Sequence, residues 1–159
     1  MKALVLALPL LAPLPLAAQD LVFSTEALDA CFAAGGWEDC IGTAANQCMA
    51  DTEGGESTIG MAGCLEAELN WWDAALNGAY GDVIAAAQAL DAEAQDGAPS
   101  QEEAAREMQR AWIAFRDATC NYEVLDWFGG TGANAAWTAC LMRMTGEQAL
   151  YLQSALAAG

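Results

Sequence analysis

Apolar side chains recur along this chain at helical spacing. Leu65, Leu69, Trp72, Leu76 and Tyr80 follow one another at intervals of four, three, four and four, which draws one apolar stripe along a helix running from about Thr58 to Asp91. A second stripe, Ala105, Met108, Trp112, Phe115, Thr119 and Tyr122, has Arg106, Arg110 and Asp117 on the opposite side, toward water. No stretch alternates β-branched and polar residues for more than a few positions, so strands are not expected.

Punctuation divides the pattern into elements. A short helix starts near Ser24-Thr25 and stops at Gly35-Gly36, and another runs from about Trp37 to Asp51 before the break at Thr52-Glu53-Gly54-Gly55. The long helix ends at Asp96-Gly97-Ala98-Pro99, and Ser100 with Glu103 forms a capping box that opens the next one. After Gly129-Gly130-Thr131-Gly132 a shorter helix holds Trp137, Cys140 and Met144, and Thr145-Gly146-Glu147-Gln148 reads as a second capping box that starts a last helix. The expected fold is all-α: a disulfide-stapled helical bundle built on a long antiparallel helical hairpin, with short N-terminal and C-terminal helices.

Residues 1–18 change the picture at one end. Met1-Lys2, an apolar stretch from Ala3 to Leu16 and Ala17-Ala18 before Gln19-Asp20 form a secretory signal peptide, with cleavage expected after Ala18. Residues 19–159 then form a single helical domain whose N-terminal hairpin occupies about 24–51. No later apolar run is long enough to span a membrane, and no cysteine at the cleavage point suggests a lipid anchor. The expected location is periplasmic or secreted.

In an oxidising compartment the 6 cysteines read as a disulfide framework. Cys31 and Cys40 bracket Gly35-Gly36, Cys48 and Cys64 bracket the Gly54-Gly55 break, and Cys120 and Cys140 bracket Gly130. Residues equidistant from a tight turn between antiparallel helices can face each other, so three sequential bridges are expected. The rival Cys40–Cys48 pair, on one helix, would lie about 12 Å apart, too far to bond.

Charge limits the partners. With 5 Lys+Arg, 22 Asp+Glu and no histidine, the formal net charge is −17, which repels nucleic acid and anionic membrane surfaces. Such a surface supplies solubility, or steers a basic partner. The missing histidine removes Ser/His/Asp and Cys/His nucleophile schemes and ordinary zinc sites, and carboxylate pairs arise by chance among so many acids. We expect a non-catalytic binding protein with no cofactor and no metal. Asp91, Glu93 and Asp96 before Gly97 do not keep the spacing of a calcium loop.

Candidate binding residues lie beside the apolar stripes. Glu66, Asn70, Asp73 and Asn77 flank the first, and Gln109 and Arg116 the second. Arg116, one turn after Trp112, is expected to be partly buried and to pair with Asp73, chiefly to fix the register of the two helices. Gly129, Gly130, Thr131 and Gly132 lack the lysine of a phosphate loop and follow no strand, which leaves a tight turn or a binding loop. Trp71 points away from the centre of its stripe and needs cover from another element.

Taken together, Cys64-Leu65, Trp72-Asp73, Leu76-Asn77, Tyr80, Gln109, Trp112, Phe115-Arg116-Asp117, Cys120, Cys140-Leu141 and Thr145 resemble the lysozyme inhibitor LprI family. The similarity spans about 62–152, and its Trp-x-x-[aromatic]-Arg-Asp-x-x-Cys pattern fixes five positions. The resemblance implies a small exported helical domain whose partner is a basic lysozyme or another envelope protein. Trp72, Tyr80, Gln109, Trp112, Phe115 and Asp117 are read as structural. Two features depart from the family: some named inhibitors are lipoproteins, and Cys31 and Cys40 lie outside the similar part.

Overall fold

The computed structural model describes residues 20–157, all-helical and without a strand among them. The signal peptide expected at 1–18 lies outside the described residues. Helix α1 covers Glu26–Ala33, and a 3-10 turn at Glu38–Cys40 leads into α2, Thr43–Asp51. Helix α3, Thr58–Glu93, is 36 residues long and begins where the Ser57 hydroxyl accepts from the Gly60 amide. Helix α4 is Gln101–Glu123, a second 3-10 turn is Val124–Trp127, and α5 is Ala133–Ala157.

All six cysteines are bonded, as Cys31–Cys40, Cys48–Cys64 and Cys120–Cys140, with Cα separations of 5.5, 5.6 and 5.5 Å. The first bridge ties α1 to the turn before α2, the second α2 to α3, and the third α4 to α5. The core gathers Leu28, Trp72, Leu76, Leu150 and Leu152, and a smaller cluster surrounds the Cys120–Cys140 bridge with Leu141, Met144 and Leu69. Trp71 packs on the core edge-on to Trp72, with ring centroids 4.8 Å apart.

The expected antiparallel neighbours α3 and α4 are present, but the most extensive seam runs between α3 and α5. The capping box at Thr145 does not form, because α5 is one helix of 25 residues. Thr145 and Gly146 are buried inside it, and a Cβ at Gly146 would meet Ile41 at 2.9 Å and Trp72 at 3.1 Å. Glycine stands here to let α5 approach Trp72 closely, not to begin a helix.

The inner face of α4 also differs from the expected stripe. Phe115 is 64% exposed and Tyr122 75%, whereas Gln109 and Cys120 are buried and Arg116 is half-buried. The bridge to α5 turns Cys120 inward. Residues four and eight before it, Arg116 and Trp112, share its face, while Phe115, five before it, sits about 140° round the helix. Phe115 is therefore a surface residue, a correction to its structural reading.

Candidate functional site

The flank of α3 is assembled as its spacing implies. Glu66, Asn70, Asp73 and Asn77 are all exposed along it, and the Asn77 amide donates to the Asp73 carboxylate at 2.9 Å. The expected Asp73–Arg116 pair is not formed. The Arg116 guanidinium donates twice to Asp117, at 3.0 and 2.9 Å, lies 5.0 Å over the Trp112 ring, and reaches toward the Thr145 hydroxyl at 3.4 Å. Facing α5 rather than the flank of α3, it belongs to the α4–α5 seam. Gln109 is buried beside it and accepts from Gln148 at 3.2 Å. Tyr80 and Trp112 pack against the core, half-buried.

The glycine loop is part of a larger projection. Within one short segment Tyr122 is 75% exposed, Leu125 62%, Trp127 51% and Phe128 94%. Single exposed apolar side chains are ordinary, but four large ones in seven consecutive residues form an apolar knob that water leaves unsatisfied. Gly129, at φ +71°, turns the chain beyond Phe128, and Gly129, Gly130 and Thr131 are exposed at the tip. A Cβ at Gly132 would strike the Trp127 ring at 2.6 Å, so glycine there leaves room for Trp127 to pack against the chain just before α5.

Both roots of the knob are anchored. The Cys120–Cys140 bridge closes its base, the Trp137 indole donates to Asn121 at 3.2 Å, and Arg143 on α5 pairs with Glu123 at 2.9 Å. Next to it is a cleft of about 400 Å³ whose wall includes Ile41, Glu38, Glu123, Arg143 and Glu147. Arg143 contacts both Glu123 and Glu147, and Glu38 has no ion pair among the described residues, so carboxylates outnumber the cation three to one. A wider apolar groove of about 730 Å³ opens at the other end of the bundle between Val83, Leu90, Met108 and Leu156.

Of the residues singled out from sequence, the α3 flank and the glycine loop are exposed and separate surfaces. Sequence reasoning passed over Leu125, Trp127 and Phe128, although three large apolar residues just before a glycine run, at a point where no helix stripe claims them, were a visible signal. Among the described residues no three His, Cys, Asp or Glu side chains gather to hold a metal ion, and no helix is long and apolar enough to cross a membrane. The arrangement offers contact surfaces and charge.

The family model described as Lysozyme inhibitor LprI matches residues 48–152, starting at Cys48 and so taking in two of the three bridges. An uncharacterized 17.7 kDa protein in the puhA 5' region of Rhodobacter capsulatus is 28% identical over 120 residues, 73% of this chain and 74% of that protein. An uncharacterized protein of Rhizobium meliloti strain 1021 is 32% identical over 93 residues, 57% of this chain and 67% of its own length. No solved structure matches the chain.

Proposed function

Because the chain belongs to the lysozyme inhibitor LprI family, we propose that it is an exported, non-catalytic binding domain that inhibits a basic, lysozyme-type cell-wall hydrolase. The family match over 48–152 carries this reading. Three features support it. Three disulfides suit an oxidising compartment outside the cytoplasm. A net charge of −17 accelerates encounter with a basic enzyme. The absence of histidine removes the commonest general base, and the use of every cysteine in a bridge removes the thiol nucleophile.

Inhibition follows from occlusion in this reading. A rigid acidic body drawn onto a basic enzyme blocks entry of the long cell-wall polymer without any chemistry of its own. The test is the rate of cell-wall lysis by a basic lysozyme with and without the purified mature protein, at low and high salt. Slower lysis at low salt, relieved by salt, is the expected result. Undiminished lysis at low salt overturns inhibition and leaves an envelope interaction or scaffold protein whose partner is not lysozyme.

A further inference from the structure

We propose that the apolar knob of Phe115, Tyr122, Leu125, Trp127 and Phe128 is the docking surface of this protein, and that its occupant is a basic protein with a recess able to receive a projecting loop. The proposal rests on the reading of the chain as a binder of a basic hydrolase and adds which surface binds and how the work is divided.

Three observations converge on this end of the molecule. The knob holds the most exposed aromatic of the described residues, Phe128 at 94%, with Tyr122, Trp127 and Leu125 at half exposure or more. Phe115 and Tyr122, seven residues apart on α4, share one helix face and extend the apolar surface back along the helix. Aromatic side chains set in a fixed frame are the groups that hold interfaces together, since they bury much area and lose little rotamer freedom. The frame here is fixed by the Cys120–Cys140 bridge and by the Asn121–Trp137 and Glu123–Arg143 contacts.

Charge selects the occupant. Glu123 and Asp126 lie within the knob's own segment, and Glu38 and Glu147 line the adjoining cleft, where the one cation, Arg143, is engaged by Glu123 and Glu147. An acidic border around an apolar centre complements a basic surface around an apolar recess, and it repels a second copy of this chain. By contrast, the flank of α3 at Glu66, Asn70, Asp73 and Asn77 offers no large apolar side chain among those four, and two of its polar groups are bonded to each other.

The two parts leave different kinetic signatures. Border charges act at a distance and set the association rate, while a buried aromatic anchor sets the dissociation rate. The experiment measures association and dissociation rates of the intact mature protein on an immobilised basic lysozyme, together with lysis inhibition. The variants are Phe128→Ser, Trp127→Ala, the pair Glu38→Lys and Asp126→Lys, and, as a control on exposed residues away from both candidate surfaces, the pair Gln95→Ala and Gln153→Ala. Phe128 is almost wholly in water, so Phe128→Ser leaves the fold intact, which circular dichroism checks.

Phe128→Ser and Trp127→Ala are expected to raise the dissociation rate at least tenfold. The charge reversals lower the association rate and flatten its salt dependence, and the Gln95 and Gln153 pair changes neither. Binding and inhibition undiminished in Phe128→Ser overturn the docking surface while the inhibitor reading stands. Binding without inhibition, lost in Phe128→Ser, overturns the inhibitor reading while the docking surface stands. No binding by the intact protein overturns both.

Discussion

Glu68 lies on the most buried line of α3, with Cys64 one turn before it and Trp72 one turn after, and is itself wholly buried. Its two oxygens accept from the Gly42 and Ala45 amides, each at 2.6 Å, and Oε1 also accepts from the Trp72 indole at 2.9 Å. Those two amides open α2, where unpaired N–H groups and the positive end of the helix dipole favour a carboxylate. One side chain thus caps a neighbouring helix and orients the central tryptophan. Glu68→Ala strands three buried donors and is expected to cost roughly 3 kcal/mol or more, read as a lower urea midpoint with loss of the near-ultraviolet tryptophan signal. A change within about 0.5 kcal/mol would mean that water reaches the site. Sequence reasoning chose Glu66 and passed over Glu68, since a lone glutamate reads as solvated. The 64, 68, 72, 76 spacing nonetheless put it in the middle of the buried line. Phe115 was misplaced for a related reason: periodicity gives a stripe to within a residue or so, and only the inward Cys120 fixes which way α4 is rotated.

Element boundaries separate local signals from tertiary ones. The Ser100 hydroxyl accepts from the Glu103 amide, as its capping box implies, but the partner that completes this helix start is Asp91 at the end of α3. Its carboxylate accepts from the Gln101 amide and the Ser100 hydroxyl, both at 2.7 Å, and from the Glu102 amide at 3.1 Å. The Gln101 and Glu102 amides, then the Ser100 hydroxyl, hold the Asp91 carboxyl below its ordinary value of 3.8. A folded value below the unfolded one stabilises the fold above the unfolded value, and the contribution disappears as pH falls through the folded value. The stability gap between the native chain and Asp91→Asn is therefore expected to stay constant down to about pH 4 and to close below it. A gap that stays flat in acid would show that charge is not what Asp91 contributes. At Thr145-Gly146-Glu147-Gln148 the capping signature failed because both of its first residues are consumed by packing. Gly146→Ala raises helix propensity by about 1 kcal/mol, yet the new methyl group meets Ile41 and Trp72, so a net destabilisation of about 1–3 kcal/mol is expected by thermal unfolding. A stabilised variant would show that the α3–α5 seam yields without cost.

At the scale of the whole molecule the all-α class and the order of the bridges were legible, because helix period, glycine corners and cysteine positions are local marks. The dominance of the α3–α5 seam was not, since helices distant in sequence meet through small residues such as Gly146 that carry no hydrophobic signal. What remains to weigh at this scale is the charge. Among the described residues Arg106, Arg116 and Arg143 form ion pairs, with Glu102, Asp117, Glu123 and Glu147, and most of these side chains are near half exposed. Exposed pairs of this kind contribute little to stability, and salt weakens them. Against them stand the remaining acids of a chain with 22 Asp+Glu and only 5 Lys+Arg, whose mutual repulsion favours expansion and is screened by the same salt. The Debye length shortens from about 30 Å at 0.01 M to about 8 Å at 0.15 M, less than the span of the long helices, so the many distant repulsions fall away before the few close attractions. Stability is therefore expected to rise with sodium chloride over that range, by several degrees in Tm. A falling Tm would mean that the ion pairs outweigh the field of unpaired acids, and the acidic surface would then have to be reread as locally compensated.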